Sequence, residues 1–473
     1  MSNEIAHADK TNDMTVGNPA KLIIRFMIPM CLGNIFQQFY NIADSIVAGQ
    51  FIGVDALAAI GSTGSLMFFV TGWLNGLSSG FAILVSQWFG AKQYDRMRHY
   101  VAMSIYLCVA FAIAMTVGFL IVNEPILRMM NYSESLLPDV KSYMEIIYAG
   151  LIVTAAYNAL AAFLRALGDS KSPLYFLVIS AGINVVLDIV FIVSFGMGVE
   201  GCAYATVIAQ GISALFCFVY IMKKYHILHL KKEDFSISFR SLGRLVALGI
   251  PMGLQFSITA IGTIIVQGAV NVYGEVYMAG FSAAGKLQNI IVTVFSSFGA
   301  TIATYVGQNR GAGKSDRVRL GVKYTQIMIL VWSVLMMVLM YFCGKYMTWL
   351  FISPSETEVV DASVLYFRTV FWCYPFLGSI FLYRNTLQGM GYGLVPMLGG
   401  VFELVARTLI VMLVAGHTSF TGVCLSDPAA WIAALIPLVP YYIHIMKKWE
   451  KDKEVRRDVE KRIFLIQIIW GRQ

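Results

Sequence analysis

Twelve apolar runs of roughly 20 residues, each the length a helix needs to cross the hydrocarbon of a bilayer, follow one another along this chain. They lie at about 22–48, 57–82, 100–122, 142–163, 173–196, 202–222, 245–270, 278–304, 323–343, 363–383, 395–416 and 428–446. Inside hydrocarbon a backbone N–H or C=O has no water to bond, so a spanning run of this length satisfies its own groups as α-helix. Composition agrees: 58% of the 473 residues are hydrophobic and 13% are charged, against roughly 25% charged in a soluble domain. The expected fold class is an all-α polytopic membrane protein.

The net charge of +8 is no sign of nucleic-acid binding, because its placement explains it. Basic residues stand in the N-terminal segment (Lys10, Lys21 and Arg25) and cluster in "GAKQYDRMR" (90–98), from Arg165 to Lys171, and in "KKYHILHLKKED" (223–234). They recur in "NRGAGKSDRVR" (309–319), at Arg384 and in the tail "KKWEKDKEVRRDVEKR" (447–462). The intervening loops carry Asp55, Glu124, Glu134, Asp139, Glu200, Glu275, Glu356, Glu358, Asp361 and Asp427 with few basic residues. The positive-inside bias then places both termini in the cytoplasm, as an even number of spans requires. Residues 1–20 contain no apolar h-region, so no cleaved signal peptide is expected. Seven cysteines stand singly, without metal-ligand spacing, and read as small packing residues.

The chain is written twice. "FIGVDALAAIGS" (51–62) matches "VYGEVYMAGFSA" (272–283), and "SQWFGAKQYDRMR" (86–98) matches "GQNRGAGKSDRVR" (307–319), both 221 residues apart. "FMIPM" (26–30) answers "LGIPM" (248–252) with one residue of slippage, and "FLRALGDS" (163–170) lines up with "LYRNTLQG" (382–389) at an offset of 219. Two six-helix lobes follow, 21–222 and 245–446, joined by a cytoplasmic loop at 223–244 and flanked by a cytoplasmic segment, 1–20, and a basic tail, 447–473. Six spans is an even number, so the lobes share an orientation and a pseudo-two-fold axis runs along the membrane normal. Repeats of this kind are typical of transporters, with the substrate site between halves that rock against each other. A duplicated rigid receptor or structural protein would show the same repeat.

An ionisable side chain deep in a span costs about 2.5–3.5 kcal/mol on insertion scales and is a functional candidate by default. Away from span ends there are Asp44 in span 1, Asp188 in span 5, Lys286 in span 8, and Glu403 with Arg407 in span 11. Arg165 and Arg384 fall at predicted cytoplasmic ends, where snorkelling accounts for them. Counting inward from the ends puts Asp44 in the outer part of span 1. Asn184 and Asp188 of "INVVLDIVF" (183–191) lie one turn apart on one face of span 5, in its outer half. Thr206 of span 6 begins at similar depth. Two carboxylates, an amide oxygen and a hydroxyl suit a hard cation; paired buried carboxylates also suit a proton. The plainer alternative is that each polar group satisfies a neighbouring helix.

The second half supplies an internal control. At an offset of 219, Asn184 corresponds to Glu403 and Asp188 to Arg407. A cation-ligand pair there becomes an i,i+4 ion pair that neutralises itself, so a cation site belongs in the first lobe. Glu403–Arg407 either lines the cavity or locks the second bundle. None of the six histidines forms a metal or catalytic arrangement inside a span, and no GxxxxGK[ST] occurs, which leaves no ATP motor. The Met- and Phe-rich spans read as bundle packing that also suits varied apolar ligands.

These residues carry a resemblance. "IPMCLGNIFQQFYNIADSIVAG", the "SQWFGA"/"GQNRGA" pair, "LRALGDSKSP", "INVVLDIVFI" followed by "GVEGCAYATVIAQ", and "LQGMG" together make residues 17–446 similar to the multidrug and toxic compound extrusion (MATE) family of cation-coupled exporters, bacterial type. The resemblance implies an N-lobe cation site of Asp44, Asn184, Asp188 and Thr206. One branch of that family uses acidic residues of spans 7 and 10; "PMGLQFSITAIG" (251–262) and "FWCYPFLGSIFLYR" (371–384) contain none, so coupling is expected to rest on the N lobe. The expectation is a secondary antiporter in the plasma (inner) membrane, neither an enzyme nor dependent on a cofactor, exchanging Na⁺ or H⁺ for amphipathic or cationic compounds. Its partners are those substrates and membrane lipids, with no nucleic acid, and it works as a monomer. The alternatives are a lipid-linked precursor flippase of the same superfamily, which the scarcity of membrane-depth Lys and Arg opposes, and a membrane-embedded lipid enzyme, for which no convergent acid–base set is found.

Overall fold

In the computed structural model, residues 12–130, 132–414 and 420–470 are described, excepting the side chains of 39–45, 54–55, 57–58 and 454–470. Among the described residues each of the twelve apolar runs lies mainly on helix, and there is no strand. Among the described residues eleven helical segments are long and apolar enough to cross a membrane, and a bent pair counted as one span makes twelve.

Span 1 is Pro19–Phe51, its first turn capped by the Asn18 carboxamide, which accepts from the Ala20 and Lys21 amides at 3.0 and 3.3 Å. Proline at the first helical position suits its fixed φ and missing donor. Span 2 is Gly64–Gly90, preceded by a separate helix, Val54–Ser62. Span 3 is Tyr94–Met129. Span 4 is two helices, Leu137–Ala149 and Leu151–Ala166, bent by 49° at Gly150. Span 5 is Lys171–Ile189, continued by a π-helical turn, Val190–Ser194, and span 6 is Val199–Lys224.

In the second half, span 7 is Phe239–Asn271, span 8 is Glu275–Gly311 and span 9 is Ser315–Thr348. Span 10 joins Thr357–Val370 to Tyr374–Gly389 across a 3₁₀ turn, Phe371–Cys373. Span 11 is Leu394–Val414, and span 12 comprises Phe420–Cys424 and Ser426–Trp470. The loop between the halves is ordered, with 3₁₀ turns at His226–Leu228 and Lys232–Phe235. It is held to span 3 by Arg98 Nε donating to Asp234 Oδ2 at 3.2 Å.

The apolar cores show how the halves meet. Ile23 and Phe26, near the start of span 1, are buried in the core of the second half beside Phe298 and Ile302. Val47 and Ala48, near its end, belong to a first-half core with Val70 and Leu74. Span 7 mirrors this: Leu245, Leu248 and Met252 pack into a first-half core with Phe81 and Met97, whereas Val266, Ala269 and Val270 return to the second half. Each of these helices crosses from one lobe to the other as it traverses the membrane. Each carries a proline on the way, Pro29 or Pro251, where the missing N–H and ring bulk loosen a helix.

Candidate functional site

Span 5 is apolar outside and polar inside. Ser180, Asn184 and Asp188, spaced four apart, are buried, Asn184 and Asp188 completely, while Tyr175, Ile179, Val186 and Ile189 face outward. A lipid solvent permits this inversion, because the exterior is as apolar as a core and polar groups find partners only inside. Span 6 meets this face with its own small residues: Cys202, Thr206, Ala209, Ser213 and Cys217 are buried. The Ser180 hydroxyl donates to the Ala209 carbonyl, and Ser213 Oγ donates to the Phe176 carbonyl at 3.4 Å. Span 1 packs on span 5 and touches span 6. Asn184, Asp188 and Thr206 therefore lie on the mutually packed faces of spans 5 and 6. Asp44 is on the span 1 helix, and its side chain lies outside the described residues. The π-helical turn begins two residues after Asp188. Among the described residues no group of three or more His, Cys, Asp or Glu has a metal-holding arrangement.

The halves are joined at the end that bears the basic clusters. Ser86–Ala91 and Gly307–Ala312, the two copies of the repeat motif, pack against each other. A Cβ on Gly90 would lie 1.9 Å from the Gln308 carbonyl oxygen, and one on Gly311 would lie 1.8 Å from that of Gln87. Only glycine allows so close a reciprocal approach of backbones. Each motif glutamine also reaches across to the opposite half: Gln87 Nε2 donates to the Gly389 carbonyl and Gln308 Nε2 to the Ala166 carbonyl, both at 2.8 Å. Gln308 Oε1 accepts from the Met14 amide at 2.8 Å. Nearer mid-membrane, Asn34 Nδ2 donates to Ser297 Oγ at 3.0 Å and Trp73 Nε1 to Ser257 Oγ at 2.8 Å. Toward the acidic end of the same central helices, Cβ atoms on Gly64 or Gly285 would meet nothing within 4 Å.

The second half buries a charge network that the sequence showed only in part. Arg384 Nη2 donates to Glu403 Oε2 at 3.0 Å, and Arg407 Nη2 to Asp427 Oδ1 at 3.0 Å. Within span 11 the Arg407–Glu403 distance is 3.4 Å, so the shorter contacts of both residues come from other helices. The Tyr366 hydroxyl lies 2.7 Å from Asp427 Oδ2 and 2.6 Å from Gln288 Oε1, and its single proton serves one of them at a time. Two sequence expectations are corrected. Arg384 does not snorkel: it is 5% exposed and ion-paired to a neighbouring span. Asp427, assigned to an acidic loop, is 9% exposed at the start of the long helix of span 12. Helix boundaries hide in a run of apolar residues, and tertiary packing provides the partners that let charges stay buried. Lys286 is exposed, with its ammonium 5.4 Å above the Phe351 ring.

Comparison with known proteins accords with this architecture. The MatE family model matches residues 29–190 and 251–425, one stretch in each half, each beginning at the proline of an I-P-M motif. Over 386 residues the chain is 30% identical to the "Probable multidrug resistance protein YpnP" of Bacillus subtilis (strain 168), covering 81% of this chain and 85% of that protein. It is 22% identical over 373 residues to the "Multidrug export protein MepA" of Staphylococcus aureus (strain MSSA476), covering 79% and 82%. A crystal structure of MATE in the bent conformation superposes with a TM-score of 0.87 at 21% identity, over 94% of this chain and 99% of that one. Family model, relative and fold agree: this chain belongs to the MATE family of efflux transporters.

Proposed function

We propose that this protein is a secondary active multidrug exporter in which Na⁺ or H⁺ binds among Asp44, Asn184, Asp188 and Thr206 and drives the release of an amphipathic, commonly cationic, compound. The observation that carries the reading is the complete burial of Asn184 and Asp188 on the inward face of span 5. A carboxylate at that depth is costly to hold charged; a cation or proton relieves the cost and changes how spans 1, 5 and 6 pack. Asp44 and Asp188 supply charge, and Asn184 and Thr206 neutral oxygens.

Positive-inside placement orients the basic end toward the cytoplasm, with both termini there and the protein in the plasma membrane. The join at the basic end then corresponds to a cleft facing outward. Alternating access requires the Gln87–Gly389 and Gln308–Ala166 bonds to break while the acidic ends of the lobes close. Both lobes lie in one chain, so a monomer suffices, and transport needs no catalytic group or cofactor.

The test is dye efflux from proteoliposomes under an imposed Na⁺ gradient and, separately, a proton gradient. One of the two is expected to drive wild-type efflux, with Asp188→Asn and Asp44→Asn reduced to the gradient-free rate although inserted normally. Wild-type efflux by either variant would sink the reading.

A further inference from the structure

The register of the repeat extends to the network in the second lobe. Past a two-residue shift from the offset of 219 that relates span 5 to span 11, Gly201 and Gly422 stand 221 residues apart, as do Thr206 and Asp427. The first-lobe set Asn184, Asp188, Thr206 thus maps onto Glu403, Arg407, Asp427, drawn from spans 11 and 12 as the original is drawn from spans 5 and 6. Asp44 has an apolar counterpart, Ile265 or Val266.

In the second lobe the two carboxylates already hold a cation. Three of their four oxygens face a guanidinium, and the fourth shares a hydroxyl: Glu403 Oε1 and Asp427 Oδ1 face Arg407 Nη2 at 3.4 and 3.0 Å, Glu403 Oε2 receives Arg384 at 3.0 Å, and Asp427 Oδ2 lies 2.7 Å from the Tyr366 hydroxyl that Gln288 Oε1 also approaches. Glu403 and Asp427 balance Arg384 and Arg407, so the network is neutral. Span 7 closes over it, where a Cβ on Gly262 would lie 2.6 Å from Arg407 Nη1. A guanidinium keeps its charge at any physiological pH and is less strongly hydrated than an ammonium, which suits burial.

We propose that Arg407 is a tethered cation: its guanidinium occupies, between Glu403 and Asp427, the place where the first lobe takes a mobile one. The equivalence rests on the cation-site reading of the first lobe. The second lobe is held in a permanently loaded form, and truncating Arg407 uncovers a binding site for a small monovalent cation between the two carboxylates. Exchange of the coupling ion is left to the first lobe alone.

The experiment is thermal melting of the purified full-length protein titrated with ethylguanidinium chloride or NaCl, with choline chloride as the control. Every variant carries Asp188→Asn, which removes the first-lobe response. Arg407→Ala is expected to melt below its parent and to regain stability saturably with ethylguanidinium or Na⁺. The parent and the Arg407→Ala/Asp427→Asn variant are expected to show no saturable gain. Should Arg407→Ala not survive extraction, Arg407→Gln is titrated in its place with the same readings. The proposal is overturned if the truncated variant melts like its parent, ignores both cations, or responds equally when Asp427 is also neutralised. A saturable cation response of Arg407→Ala, alongside wild-type efflux indifferent to both gradients, would overturn the first-lobe reading and the equivalence with it, leaving only a cation site between Glu403 and Asp427.

Discussion

Glu403 stands between two guanidinium groups, Arg384 at 3.0 Å and Arg407 at 3.4 Å, in a site where its side chain is 12% exposed. Burying an ion pair gives little net stability, but removing one partner leaves a charge uncompensated and costs about 3–5 kcal/mol. Glu403→Gln deprives Arg384 of its carboxylate and is expected to lower stability by that order, read as the midpoint of thermal unfolding in detergent. Tyr366→Phe removes one neutral donor from Asp427, for which about 1 kcal/mol is expected. A Tyr366→Phe loss as large as that of Glu403→Gln would show that the hydroxyl, and not charge pairing, holds the network. The four-residue spacing of Glu403 and Arg407 was legible in the sequence; their preference for Arg384 and Asp427 was not, since both partners lie on other spans.

At the scale of elements, the decisive objects are spans 1 and 7, which begin in one lobe's core and end in the other's, and spans 2 and 8, which carry the reciprocal glycines. The close contacts of Gly90 and Gly311 with facing carbonyls predict that Gly90→Ala or Gly311→Ala pries the basic ends apart. Ser86, buried in this joint at 2% exposure, provides the probe. In a background lacking the seven native cysteines, Ser86→Cys is expected to react with a thiol reagent applied from the basic face about 5–30 times faster when Gly90 is replaced, the factor that one or two kcal/mol brings. An unchanged rate would mean that the joint absorbs the methyl group.

The helices themselves were readable, because hydrocarbon leaves a 20-residue apolar run little choice. Their interruptions were not. The 49° bend at Gly150, the 3₁₀ turn at Phe371–Cys373 and the separate helix before span 2 all lie within or beside continuous apolar composition, where periodicity and hydropathy do not change.

At the scale of the whole molecule, the halves are held together most closely at the basic end. Gln87 and Gln308 each make one hydrogen bond to a carbonyl of the facing half, and a buried bond of this kind contributes about 0.5–1.5 kcal/mol. Gln87→Leu combined with Gln308→Leu is expected to shift the balance toward the form open at the basic end by roughly 2 kcal/mol, or about 30-fold in population. Spin labels at the basic ends of spans 3 and 9 would register it as a longer distance component. No new component would mean that the Gly90–Gln308 and Gly311–Gln87 approaches, together with the spans 1 and 7 crossings, carry the joint alone.

Sequence by itself determined the membrane class, the twelve helices and the duplication. It also placed Asn184 and Asp188 on one helical face, because period, length and polarity are local properties. Only the tertiary structure decided that this face is sealed against span 6, that Arg384 and Asp427 are buried partners, and that the halves meet at the basic end. Those outcomes depend on which helices touch, and helices that exchange lobes along their length leave no local trace of doing so.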